Sequence, residues 1–308
     1  MIEIRDLTKV YGTFTALNRL TMSIKKGTVF GFVGPNGAGK STTMAILATL
    51  LSPTSGSAKV GGYEVTERPK EVRRLIGYMP DFFGVYDNFK TTEYLDFYGA
   101  SYGIPRHERQ KLIPQLLELV NLTDKADFYV DSLSRGMKQR LCLARCLVHD
   151  PELLILDEPA SGLDPRARIE MREILKELKA MGKTIIISSH ILPELAEMAD
   201  EIGVIENGVL LAQGNIQEIQ QRMRANRVLN MRFLEREQEA VAYLKELPGI
   251  SLVLADELGV HAHFGGSDEE QAELLQKLVA AGFRLLSFSE EQTDLEDVFL
   301  EITKGVRA

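Results

Sequence analysis

The sequence predicts an α/β protein with a mostly parallel sheet, followed by a small α+β domain, and three observations carry that prediction. A short apolar run, Thr28–Val33, ends in a glycine-rich loop and is followed by an amphipathic stretch, Ser41–Leu51, in strand, loop, helix order. Two further runs, Leu153–Leu156 and Thr184–Ile187, are apolar without alternation, as strands covered on both faces must be, and the charged amphipathic stretch Ile169–Met181 lies between them. Beyond a composition shift at Gln220–Arg236 the pattern becomes strand, helix, strand, strand, helix, strand. The segments are Val228–Phe233, Glu237–Leu247, Ile250–Ala255, Gly259–Phe264, Asp268–Ala281 and Phe283–Ser287. That order predicts a ferredoxin-like split βαβ domain.

The remaining elements follow in chain order. Apolar alternation over Ile2–Val10 and Ala58–Val65, punctuated by Gly12, Gly27, Gly56, Gly61 and Gly62, makes the first part of the chain strand-rich. From Thr91 to Val148 helical spacing dominates, and Tyr94, Leu95, Phe97, Tyr98 and Tyr102 recur as a helix's core face. Cys142, Cys146 and His149 are spaced by helical turns among Leu141, Leu143, Ala144, Leu147 and Val148, which favours packing over a metal or redox site. His261 and His263 share one strand face with nothing nearby to complete a metal shell. Arg222, Arg224, Arg227, Arg232 and Arg236 cluster within Gln220–Arg236, as a solvated stretch or a contact for a partner or lipid headgroups, and a linker is expected at 221–227, between a first domain at 1–220 and a second at 228–308.

Composition narrows the function classes. A chain of 308 residues is long enough for two domains with a substantial core. Lysine and arginine number 36 against 44 acids, a net charge of -8, so no nucleic-acid partner is expected. Met1–Asp6 alternates like a strand and lacks a signal-peptide core, and no apolar run approaches the ~18 residues of a spanning helix. The chain is expected to be cytoplasmic, meeting any membrane through a partner.

The chemistry is concentrated in four places. Gly34-Pro35-Asn36-Gly37-Ala38-Gly39-Lys40-Ser41 fits GxxxxGKS between a strand and a helix. Its glycines allow the backbone amides to turn inward around phosphate oxygens, and the following helix N-terminus, with Thr42, adds partial positive charge. Lys40 suits the β and γ phosphates, and the Ser41 hydroxyl suits a hydrated Mg²⁺. Leu153–Leu156 ends in Asp157-Glu158, with Asp157 placed for Mg²⁺ hydration and Glu158 for accepting a proton from attacking water. His190, after Thr184–Ser189, falls where another sheet strand ends and can hydrogen-bond a γ phosphate.

In this order the motifs resemble those of ABC-type ATPases, the nucleotide-binding subunits of transporters, across residues 1 to about 220. Gly34–Ser41 matches the Walker A loop, Leu153–Glu158 the Walker B strand, Ser161-Gly162-Leu163-Asp164 the D-loop and His190 the switch histidine. Tyr11 falls where the family stacks an aromatic on adenine. The resemblance implies a P-loop NTPase core with an antiparallel β subdomain and a helical subdomain at about 82–150. It also implies ATP and Mg²⁺, a second ATPase subunit, identical or similar, that closes on the nucleotide, and a membrane permease reached from the inner face of the cell membrane. The Asp81–Asn88 segment resembles the loop that grips the permease, and the C-terminal domain resembles accessory domains of bacterial export systems.

Two departures from the family pattern stand out. Leu133-Ser134-Arg135-Gly136-Met137 aligns with the LSGGQ signature, retaining Ser134 and Gly136 for γ-phosphate contacts while Arg135 replaces glycine and Met137 glutamine. Asp81 stands where glutamine is common, and an aspartate still meets metal-bound water but donates nothing while ionised. Slower or more tightly coupled turnover is expected from it, and Asp81→Gln tests that. The alternatives are an ATP-binding switch with little turnover and a soluble, non-transport ABC ATPase.

Overall fold

The computed structural model describes residues 1–81, 84, 88–190, 195, 197–215, 227–256 and 259–290. The chain divides into two compact units, Met1–Gly214 and Asn215–Ala308. Of the expected linker, residues 221–226 lie outside the described residues, as does 291–308.

The first unit holds two sheets. Strands β1 (Ile2–Tyr11), β2 (Phe14–Ile24), β4 (Ser55–Val60) and β5 (Tyr63–Glu64) form a four-stranded sheet in the order β2-β1-β4-β5, and its pairings are antiparallel. Strands β3 (Val29–Val33), β6 (Ile76–Met79), β7 (Leu153–Leu156), β8 (Thr184–Ser189), β9 (Glu201–Glu206) and β10 (Val209–Asn215) form the second, in the order β10-β9-β3-β8-β7-β6. From β9 through β3, β8 and β7 to β6 every pairing is parallel. Asn207 and Gly208 join β9 to β10, both at positive φ (50° and 77°), the geometry of a tight two-residue hairpin turn. Helix α1 (Lys40–Leu47) packs between the sheets, its Met44, Ile46 and Leu47 sharing one core with Ile2, Leu20, Phe30, Phe32, Ile155 and Ile186. Each such fully buried side chain contributes about 1.5–3 kcal/mol relative to exposure.

The expected helical stretch resolves into α3 (Thr91–Ser101), α4 (Arg106–Leu119) and α5 (Arg135–Leu147), with α2 (Pro69–Leu75) ahead of them. Helix α6 (Pro165–Ala180) starts four residues before the apolar periodicity does, because Asp164 caps it: the Ala167 amide donates to Asp164 Oδ1 at 2.9 Å, and Pro165 fits the first turn.

Edge strand β6 is covered by the far end of α5. His149 Nε2 lies 2.8 Å from Ile76 O, and Cys146 Sγ donates to Tyr78 O at 3.2 Å. His149 also stacks on Tyr102, their centroids 3.9 Å apart. The cysteines are free, buried thiols within that packing.

The second unit comprises β11 (Arg227–Phe233), α7 (Glu237–Lys245), β12 (Ile250–Asp256), β13 (Gly259–Phe264), α8 (Asp268–Ala280) and β14 (Leu285–Glu290). The antiparallel order β12-β13-β11-β14 is the ferredoxin-like arrangement. Ala240 and Leu244 of α7 and Leu274 and Leu278 of α8 close its core on Leu229, Met231, Val260, Ala262 and Phe264. The last strand begins at Leu285 rather than Phe283, whose ring packs edge-on against Phe233 with centroids 6.0 Å apart.

Candidate nucleotide site

Strand β3 is buried along its whole length and delivers the chain into the loop at Gly34. Gly37 and Gly39 take φ of 84° and 109°, values that favour glycine. A Cβ on Gly39 would also sit 2.8 Å from Ala16 O, so the close approach of β2 excludes a larger residue there. The loop then enters α1 directly at Lys40, one residue earlier than the sequence pattern suggests.

Lys40 is 6% exposed, and its ammonium donates to Gly34 O at 2.6 Å and to Pro35 O at 3.3 Å, with Glu158 Oε1 at 3.8 Å. Burial holds the Lys40 ammonium below its ordinary value, opposed by the Glu158 and Asp157 carboxylates. A buried cation supported by its own loop carbonyls and facing open space is suited to accept an anionic partner.

Strand β7 supplies the acids. Asp157 is 2% exposed, its amide donating to Met79 O at 2.8 Å, while Oδ1 accepts from the Ser188 hydroxyl at 2.6 Å. Glu158 turns out of the strand at φ 51°, its amide donating to Ser188 Oγ at 2.8 Å. Its Oε2 lies 3.0 Å from His190 Nδ1 at the end of β8. Burial pushes the Glu158 carboxyl above the usual carboxylate range; His190 and Lys40 pull it down and Asp157 adds to the rise.

These groups open on a cavity of about 320 Å³ lined by Tyr11, Phe14, Ala16, Pro35, Asn36, Gly37, Ala38, Gly39, Lys40, Ser41, Thr42, Asp81, Glu158, Ser161 and His190. Tyr11 and Phe14 are cross-strand partners either side of the β1–β2 turn, 47% and 61% exposed, with Lys9 Nζ 5.0 Å from the Tyr11 ring centre. Exposed aromatic rings at the mouth of a cationic loop suit a planar base attached to phosphates. Among the described residues no three His, Cys, Asp or Glu side chains converge as a metal cage. The donor set of Ser41 hydroxyl and Asp157 carboxylate fits a hard cation that takes most of its shell from phosphate and water.

The structure therefore brings Tyr11, residues 35–42, Asp81, Glu158 and His190 together; Gly34 and Asp157 do not line the cavity, Gly34 O accepting from Lys40 and Asp157 from Ser188. Ser134, Arg135, Gly136 and Asp164 do not line the cavity. Ser134 caps α5, accepting from the Met137 amide at 3.3 Å; the Arg135 guanidinium lies against Gly162; and Asp164 caps α6. Of the Asp81–Asn88 segment, residues 82–83 and 85–87 lie outside the described residues. Sequence reasoning missed Phe14 and Ser188, and named Ser161 only as part of the D-loop. Phe14, an aromatic three residues after Tyr11 across a glycine turn, carried a readable signal; Ser188 carried none, because a serine at a strand end is ordinary.

Comparison with known proteins agrees with this geometry. The ABC transporter family matches residues 17–161, and the C-terminal domain of the DrrA1-3-like ATP-binding proteins matches residues 214–303. The chain is 32% identical over 305 residues to the linearmycin resistance ATP-binding protein LnrL of Bacillus subtilis (strain 168), covering 98% of each. It is 36% identical over 313 residues to the bacitracin transport ATP-binding protein BcrA of Bacillus licheniformis, covering 99% of this chain and 98% of that one. A bacterial ABC transporter cassette solved as a dimer superposes with a TM-score of 0.64 at 26% identity, over 70% of this chain and 99% of the other. The chain belongs to the ABC transporter ATP-binding proteins, as an ATP-binding and ATP-hydrolysing transporter subunit.

Proposed function

We propose that the cavity holds Mg²⁺ and ATP, that two cassettes close on each other around the nucleotide, and that the cycle drives a separate membrane permease in export. One juxtaposition supports this reading above all: a buried Lys40 and a largely shielded, proton-accepting Glu158 lie 3.8 Å apart and line the same cavity as two exposed aromatics. Tyr11 and Phe14 receive the base, the amides of residues 35–42 the phosphates, and Ser41 with Asp157 the Mg²⁺, which when bound neutralises phosphate charge. Glu158, its carboxyl raised by burial, takes the proton of the attacking water while His190 orients its carboxylate.

Ser134, Arg135 and Gly136 are assigned to the nucleotide of the opposing cassette. Their absence from this chain's own cavity, and their place at the start of α5, fit that assignment. Asp164 contributes there by holding the turn that carries Ser161 and Gly162. The LnrL and BcrA names specify resistance and transport, which favours export. No helix among the described residues is long and apolar enough to cross a membrane.

The test is molecular mass by light scattering for Glu158→Gln, in which ATP persists. With Mg²⁺ and ATP the variant is expected to become dimeric, and with ADP to stay monomeric. A single mass in both nucleotides contradicts the reading.

A further inference from the structure

We propose that Ser188 is the positioning residue of this site, its buried hydroxyl locking Asp157 and Glu158 into one unit; the proposal rests on the reading of those acids given above. Parallel pairing sets Leu156 of β7 level with Ile187 of β8, so the next residues, Asp157 and Ser188, emerge side by side. Ser188 is 0% exposed and Asp157 2%, so both side chains are withdrawn from bulk solvent.

A hydroxyl has one proton, and here it goes to Asp157 Oδ1 at 2.6 Å. Its oxygen accepts the Glu158 amide at 2.8 Å. A single atom thus ties the carboxylate of one acid to the backbone of the other. The second contact is consequential because Glu158 sits at φ 51°, a conformation disfavoured for a residue with a Cβ. Held there, the chain leaves the strand so that the Glu158 carboxylate reaches His190 Nδ1 at 3.0 Å and Lys40 Nζ at 3.8 Å.

Loss of the hydroxyl would orphan the Glu158 amide and remove a charge-assisted donor from buried Asp157. The phosphate loop is supported separately, by Lys40 on Gly34 O and Pro35 O. Damage should therefore fall on hydrolysis and on metal-dependent binding, and leave metal-free ATP binding intact.

Threonine and valine separate the hydroxyl from its volume, since they share a shape, suit a strand equally and differ only in that group. In the full chain, Ser188→Val is expected to lower kcat at least about 30-fold with KM for ATP within about twofold, and Ser188→Thr to stay within about threefold of wild type. In a Glu158→Gln background, Ser188→Val should diminish the gain in ATP affinity given by Mg²⁺ while affinity in EDTA stays the same. Ser188→Ala, which adds no volume, should repeat the valine result if either larger residue fails to fold. Equal turnover by the valine and threonine variants overturns the proposal, as does an affinity loss that is the same with and without Mg²⁺. A wild-type chain that releases no phosphate would instead sink the reading of the acids, while the binding comparison still decides on Ser188.

Discussion

The six-stranded sheet of the first unit and the four-stranded sheet of the second bury their residues in opposite ways. Every residue of β3, β7 and β8 is buried, whereas in β12 only Val253 is. A sheet covered on both faces has no lateral exit for a polar side chain, so its polar chemistry is displaced to the strand ends. Lys40, Asp157, Ser188 and Ser189 sit there, and every buried polar or charged side chain among the described residues belongs to the first unit. The one-sided sheet leaves Leu252 and Leu254 46% and 54% exposed beside His261 and His263, and it can vary that face without unsettling a core.

The largest effect of a substitution is expected at Lys40. Lys40→Met should weaken ATP binding by about 100-fold, or about 2.7 kcal/mol, without lowering the melting temperature of the nucleotide-free chain, because a cation held in a costly burial is removed. Nucleotide titration and calorimetry check the two halves. A parallel loss of melting temperature would mean that the lysine is structural.

Next come the two cores. Ile155→Ala and Leu229→Ala, both 0% exposed, should each cost about 2–4 kcal/mol of their own unit's stability. Only Ile155→Ala is expected to weaken ATP binding, since it lies in the strand that presents Asp157. Denaturation followed with and without nucleotide distinguishes them; equal sensitivity of ATP binding to both would show that the units are energetically one.

A smaller effect depends on pH. Burial holds the His149 imidazole below its ordinary value of 6.5, against the opposing influence of Ile76 O and Asp150, with Lys183 adding to the depression. The folded state therefore prefers the neutral ring. Its contribution is complete above that ordinary value and is lost as pH falls through it toward the depressed folded value, because the unfolded chain takes up the proton first. His149→Gln should flatten the acid side of the stability curve as pH falls below the ordinary imidazole value. The smallest effect is expected for Leu254→Ala on the open face, within about 0.5 kcal/mol.

Legibility followed the same division. The glycine loop, the apolar runs ending in Asp157-Glu158 and His190, and the βαββαβ order of the second unit are local patterns, each written in consecutive residues, and their positions in the fold follow from strand order alone. What stayed hidden depends on register between distant strands. Ser188 is visible as a partner only once β7 and β8 are aligned, and the His149 contact with Ile76 requires α5 to lie over the sheet edge. Asp164 shows the converse: its motif suggests a nucleotide contact, while its geometry is that of a helix cap.

Phosphate release by the purified chain with Mg²⁺ and ATP, set beside Glu158→Gln under the same conditions, tests the hydrolytic site most directly. A fall in rate of about 100-fold or more with ATP affinity retained is predicted. Equal rates in the two proteins would contradict the assignment of Glu158 and, with it, the account of how the strand ends do their chemistry.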